Sequence, residues 1–241
     1  MTSNIEKICP VLRLKGSKYK LMPTILELFS LSKKDIFIEP FGGTGIVSVN
    51  LKVNFPEKEI ILNDFDNIFP LSKEFVIKNL TSYEGQGLYQ TQKAIDYFHK
   101  RVKNNLWLKV DRYNKIISQI QIEHKDFRDI HYPKNSFVFF DPPYENRKKL
   151  YKKYISLKDL KDFINTLDSS IKWVITYNLC ENIFKYFNNK GLFIYKTKNK
   201  NTTGGEILIS NFQINFDQFT MENFYIDLNA SLNFSNFVNK R

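Results

Sequence analysis

Cysteine is nearly absent from this sequence of 241 residues: Cys9 and Cys180 are the only two, far apart and outside any CxxC or Cys/His cluster. That scarcity argues against a disulfide framework and a zinc site, and it fits a reducing compartment. Histidine is almost as scarce, and His99, His124 and His131 have no metal-ligand spacing, so no metal is expected. No apolar run approaches the ~20 residues of a membrane span. The opening MTSNIEKICP lacks the apolar stretch of a signal peptide. These absences together predict a protein of the cytoplasm, with no membrane partner. No Walker lysine follows the glycine-rich stretch FGGTG, which argues against a nucleotide triphosphatase.

What is present in excess is positive charge. Lys and Arg number 36 against 25 Asp and Glu, a formal net charge of +11. Such an excess favours a polyanion as partner, nucleic acid before membrane, because neutralising phosphates releases counterions. A lysine-rich codon preference would leave the same trace, so composition alone does not decide. Hydrophobic residues make up 42% of the chain, enough to bury a sizeable core.

The pattern along the chain alternates. Ser17 to Phe29 reads as an amphipathic helix bent or restarted at Pro23. DIFIEP (35–40) and KEIILND (58–64) read as apolar strands, with a helix in IVSVNLKVN between them. Residues 67–117 change character to mostly helical spacing, interrupted at Gly85 and Gly87, and read as an inserted helical subdomain. SQIQIEH (118–124) and NSFVFFDPPY (135–144) resume the strands, and LKDLKDFINTL, IKWVITYN, LCENIFKYF, LFIYKT and EILISNF continue as helix, strand, helix, strand, strand. EILISNF is expected to be buried on both faces, and the Asn- and Phe-rich end has no assigned structure. Strands crossing over through helices predict a doubly wound α/β sheet. Its domain would comprise residues 1–66 and 118–241, with 67–117 inserted.

In such a sheet, ligands bind beyond the carboxyl ends of the strands, and polar residues collect there. The first strand runs into Glu39, Pro40, Phe41, Gly42, Gly43, Thr44 and Gly45. Its glycines leave room for a cofactor and permit a tight strand-to-helix turn. It is not the six-residue dinucleotide fingerprint, whose last glycine is replaced by Val47 or Ser48. Asp64 closes the second strand, placed to accept ribose hydroxyls, although a strand-end Asp also caps turns. Asp126 and Phe127 could bond an adenine amino group and cover its ring.

The sharpest feature is Asp141-Pro142-Pro143-Tyr144. Two prolines stiffen the turn and remove two N–H donors, so the Asp141 carboxylate and the Pro142 carbonyl can both face one amino group as acceptors. Tyr144 supplies a ring for stacking a planar base. An exocyclic adenine amine is a poor nucleophile, because its lone pair is delocalised into the ring. Two acceptors on its hydrogens push the nitrogen toward sp³ geometry, ready to attack an activated methyl group.

Taken in order, RLKGSKYKL, FIEPFGGTGIVSVN, LNDFD, KDF and FFDPPY resemble the D12 class of N6-adenine DNA methyltransferases, the Dam-like or α group. TYNLCENIFKYF and EILISNF resemble that family's downstream strands. The resemblance implies a seven-stranded mixed, mostly parallel doubly wound sheet of the S-adenosylmethionine-dependent methyltransferase type, with a helical target-recognition insert. It implies S-adenosylmethionine as cofactor, Asp64 on its ribose, and Asp141, Pro142 and Tyr144 around a flipped adenine. Lys18 matches the lysine of the family's N-terminal motif, and Leu14 stands where relatives often have Trp. Glu39, Pro40, Phe41, Gly42, Gly43, Gly45, Asp126 and Phe127 complete the expected cofactor site, with Asp141 at its edge. The hairpin pattern of GATC-reading relatives is missing between Asn67 and Lys125, so a site other than GATC is expected.

Double-stranded DNA is the expected partner, and a cognate restriction endonuclease is a candidate second one. Arg147, Lys148, Lys149, Lys152 and Lys153 follow DPPY directly, while Arg101 and Arg112 lie in the insert among further lysines. Both groups are candidate DNA contacts, and both are open to the plainer reading of a solvated surface. Rival activities are methylation of cytosine N4, of an RNA adenine or of a glutamine amide. A catalytically silent nucleic-acid-binding subunit on the same fold is the rival of another class.

Overall fold

A computed structural model describes residues 5–12, 17–82, 89–144, 155–178, 180–187, 193–197, 206–214 and 225–227. The chain divides into two compact units: Met1–Leu26 with Gly42–Asp126, and Glu27–Phe41 with Phe127–Arg241. Helix α1 (Met22–Ser32) straddles that division, preceded by a 3-10 turn over Lys18–Leu21. Pro23 therefore stands in the first turn of α1, where a missing N–H costs nothing. None of the described helices is long and apolar enough to cross a membrane.

The first unit holds α2 (Ile46–Asn54), β2 (Glu59–Asn63), α3 (Lys73–Thr81), α4 (Gln92–Lys103), α5 (Leu106–Ile117) and β3 (Gln121–Glu123). The helical spacing of 67–117 is realised in α3, α4 and α5, whereas Gly85 and Gly87 lie outside the described residues. Ser72 and Thr91 cap α3 and α4, their hydroxyls accepting from the N–H groups of Phe75 and Ala94. On α5, Leu106, Val110, Tyr113 and Ile117 share one buried face at helical spacing. Strand β3 pairs in parallel with β2, placing Glu123 beside Asn63. It is shorter than the expected 118–124. Ser118, Gln119 and Ile120 still donate to the carbonyls of Asn114, Ile116 and Ile117, so the turn that ends α5 claims them.

A segment before α1 is tied down by side chains. Asn50 of α2, fully buried, accepts from Ile8 N at 2.8 Å and donates to Ile8 O at 3.1 Å. One helical turn on, Asn54 does the same for Glu6, at 3.1 and 2.8 Å. Arg101 donates to the carbonyls of Pro10 and Val11, and Arg112 pairs with Glu6.

The second unit contains β1 (Ile36–Glu39), β4 (Ser136–Phe140), α6 (Leu157–Ile164), β5 (Lys172–Asn178), α7 (Glu181–Phe187), β6 (Phe193–Thr197), β7 (Glu206–Ser210) and β8 (Tyr225–Asp227). Its strands lie in the order β1-β4-β5-β7-β6-β8. Strands β1, β4 and β5 are parallel, β7 runs against β5 and β6, and β8 runs against β6. The sheet is thus mixed and mostly parallel, as expected. The expected count of seven strands is corrected. Eight are described, six of them here, and the short β8 falls in the tail to which the sequence pattern assigned nothing. In EILISNF, residues Ile207, Leu208, Ile209 and Ser210 are all buried. Phe29, Phe37, Phe137 and Phe139 form the aromatic core, with Phe37 and Phe137 stacked at 5.8 Å.

Candidate active site

The glycine loop belongs to the first unit. Gly42 donates to Asn63 O at 2.9 Å, and Gly45 closes a turn onto Gly42 O at 2.8 Å before α2 begins. A Cβ on Gly42 would fall 1.9 Å from Leu62 Cδ1, so only glycine allows this approach to β2. Gly43 has a left-handed φ of +52°, and a Cβ there would meet nothing within 4 Å. The loop is braced by Tyr113 of α5, buried, whose hydroxyl donates to Thr44 O at 2.7 Å.

Asp64 is held at both oxygens. Gly43 N donates to Oδ2 at 2.6 Å and Asp66 N donates to Oδ1 at 2.9 Å. Burial pushes its pKa above the ordinary value, and those two N–H groups pull it back in part. The His124 ring nitrogen lies 2.9 Å from Asp64 O. Asn63 clamps the neighbouring strand end, accepting from Lys125 N at 2.9 Å and donating to Lys125 O at 3.1 Å. Lys18 is buried in the turn before α1, Asp126 is half-buried, and Leu14 lies outside the described residues.

The second unit carries the remaining candidates. Glu39 is buried at the end of β1 and Pro40 is buried after it. Phe41, half-buried, packs its ring 5.3 Å from Phe127. Phe127 is buried between Phe41 and Phe163. Strand β4 is buried throughout and runs straight into Asp141. Phe140 pairs with Ile175, so the next position in register sets Asp141 beside Thr176 of β5. Thr176 donates to Asp141 Oδ1 at 2.9 Å, and the Tyr144 hydroxyl lies 3.4 Å from the same oxygen. The Tyr144 ring is 4.7 Å from that of Tyr177.

Sequence reasoning missed Thr176, Tyr177 and Tyr113 as parts of the site. The first two were within reach: TYN closes β5, and polar residues at carboxyl strand ends were the signal used elsewhere. Of the candidate DNA contacts, Arg147, Lys148, Lys149, Lys152 and Lys153 lie outside the described residues. Arg101 and Arg112 already have partners in the segment before α1.

Residues 15–114, from the N-terminal motif through the glycine loop and Asp64 into α5, match the family model described as D12 class N6 adenine-specific DNA methyltransferase. S-adenosylmethionine is the methyl donor that this class implies. The residues fit it: an open glycine at positive φ beside a fixed carboxylate leaves space for a cofactor and acceptors for its ribose. A carboxylate has about four lone-pair directions, so Asp64 retains acceptor capacity beyond its two backbone bonds.

Among curated proteins, none matches the chain. Among solved structures, the chain is similar to TrmN from Thermus thermophilus, with 12% identity and a TM-score of 0.45 over 79% of this chain; it spans 47% of that protein's length. A methyltransferase from Geobacter sulfurreducens gives 10% identity and a TM-score of 0.44, with 83% and 81% of the two chains covered. The rRNA methyltransferase aviRa from Streptomyces viridochromogenes gives 12% and 0.43, with 87% of each chain covered.

Proposed function

We propose that the protein transfers a methyl group from S-adenosylmethionine to N6 of a flipped adenine in double-stranded DNA. The observation that carries this reading is Asp141, at the end of a buried strand, held by Thr176 at the head of a Pro-Pro-Tyr turn. The family match ends at residue 114, before this turn, so the two supports are independent.

The donor supplies an electrophilic methyl on a sulfonium, whose sulphur keeps the C–S electron pair as the amine forms its N–C bond. The chain's own residues do the rest. Asp141 and the Pro142 carbonyl accept the two N6 hydrogens, directing the lone pair out of the ring plane, and after transfer the cationic nitrogen gives one of those protons to water. Tyr144 stacks on the base, and Tyr177 backs it. Within the first unit, Gly42, Gly43 and Gly45 give the donor room and Asp64 accepts from its ribose. Extruding the target costs a few kcal/mol, which pocket stacking and phosphate contacts must offset. The insert of 67–117 surveys the bases around the target, and the run from Arg147 to Lys153 grips phosphate.

Sequencing of modified bases in DNA from cells that express the protein tests the reading. N6-methyladenine should appear with the wild type and fall by about 10²–10³-fold in rate with Asp141→Ala, the size of a lost preorganised contact in a catalytic site. N4-methylcytosine, methylation confined to RNA, or full activity of Asp141→Ala would overturn it.

A further inference from the structure

A carboxylate that must aim at an amine needs its own direction fixed, and this turn removes the usual means. An Asp at a turn commonly accepts from the N–H two residues on. Here that residue is Pro143, and the residue before it is Pro142, so neither has an N–H to give. These prolines remove that backbone bond, and the neighbouring strand offers a side-chain donor.

The register supplies one. With Phe140 opposite Ile175, Asp141 and Thr176 are neighbours on adjacent parallel strands. The Thr176 hydroxyl donates to Oδ1 at 2.9 Å from a side chain only 1% exposed. A β-branched side chain within a strand has few χ1 options, so that hydroxyl is itself held in place. The Tyr144 hydroxyl, at 3.4 Å, is the more distant partner of the same oxygen. Successive strand residues point to opposite faces, yet Thr176 meets Asp141 and Tyr177 meets Tyr144. The end of β5 therefore grips both ends of the DPPY turn. Oδ1 is held by Thr176, which restrains rotation of the carboxylate.

We propose that Thr176 is a positioning residue for methyl transfer, acting by aiming the Asp141 carboxylate at the target amine. The inference rests on the proposed role of DPPY. It concerns the transition state rather than binding, because the aimed acceptor matters most when the nitrogen leaves planarity. Loss of the hydroxyl should lower kcat and kcat/KM together.

The test compares Thr176→Val, which keeps the shape and removes the hydroxyl, with Thr176→Ser, which restores it. The full-length protein is assayed on duplex DNA, alongside Asp141→Ala and a melting curve for each variant. Thr176→Val should lose about 10–100-fold in kcat, the range of one charge-assisted hydrogen bond, with both KM values within about twofold. Thr176→Ser should recover to within about threefold of wild type. Should Thr176→Val not fold, Thr176→Ala is read in the same way against Thr176→Ser. Wild-type turnover without the hydroxyl overturns the proposal, as does equal impairment of the valine and serine variants or a loss seen only in KM. If Asp141→Ala is inactive while Thr176→Val is normal, only the role of Thr176 fails. Turnover that survives Asp141→Ala instead removes the reading of DPPY itself.

Discussion

Burial raises the pKa of the Asp64 carboxyl, against two backbone N–H groups that favour its ionised form. The sign of the consequence follows. An acid with a raised pKa takes up its proton at a higher pH than a free aspartate, and ribose hydroxyls need the ionised acceptor. Donor affinity should therefore weaken as pH falls through that raised pKa, at a higher pH than for a free aspartate. The same shift makes the folded state the more protonated one, so this group does not itself unfold the protein on acidification. Calorimetry from about pH 8 to about pH 5 checks the trend. Asp64→Ala should bind more weakly by about 1.5–3 kcal/mol per lost ribose bond, with a flatter pH profile. Identical profiles for the two proteins would remove Asp64 from the site. The glycines offer a matching contrast. Gly42→Ala drives a methyl into buried Leu62 and should cost about 1–3 kcal/mol of stability by overpacking. Gly43→Ala meets no neighbour, so its fold should lose only the cost of positive φ, about 1–2 kcal/mol, while donor binding suffers. Urea unfolding with and without S-adenosylmethionine separates the two effects.

At the scale of elements, the insert helices brace more than their spacing suggested. Arg101 donates to the carbonyls of Pro10 and Val11, at 2.7 and 3.3 Å, and Arg112 pairs with Glu6. Arg101→Ala should therefore destabilise the fold by about 1–3 kcal/mol, because partly buried carbonyls lose a charged donor. Thermal melting reads this directly, and an unchanged melting temperature would count against it. Arg112, whose side chain remains 57% exposed, can exchange Glu6 for a base and stays the better candidate reader of sequence. The sequence could not reveal these pairings, because the partners of Arg101 lie some 90 residues away. Thr176 stands at a legible strand end, but its pairing with Asp141 spans 35 residues and shows only in the fold. Local signals fared better. The apolar runs that become β1, β2, β4 and β5 were legible, as were the helical spacing of α3 to α5 and the turns after the strands. Where a local pattern misled, as at SQIQIEH, alternation predicted a strand while the end of α5 kept the first three residues in turns.

For the whole molecule, the proposed function lets the excess of 11 positive charges set how DNA is approached, while a few side chains decide which DNA is modified. These are separable because they scale differently with salt. Each phosphate neutralised by a lysine releases counterions, so the logarithm of affinity falls with the logarithm of salt by about 0.9 per contact. That term is blind to sequence. Base edges are read instead by the fixed geometry of Arg, Asn or Gln, at about 1–3 kcal/mol per bidentate contact. The proposed function assigns Lys148 and Lys149, close after DPPY in the chain, to the first kind and Arg112 to the second. Lys148→Ala with Lys149→Ala should weaken binding to every duplex alike, reduce the salt slope by up to about 1.8, and leave the methylated sites unchanged. Arg112→Ala should leave the slope nearly intact and change which sites are methylated. Binding measured across a salt series, with modified-base sequencing of the same variants, distinguishes the two. If the lysine pair altered site choice and Arg112 altered only the slope, the roles would be reversed, and residues 147–153 rather than 67–117 would read the sequence.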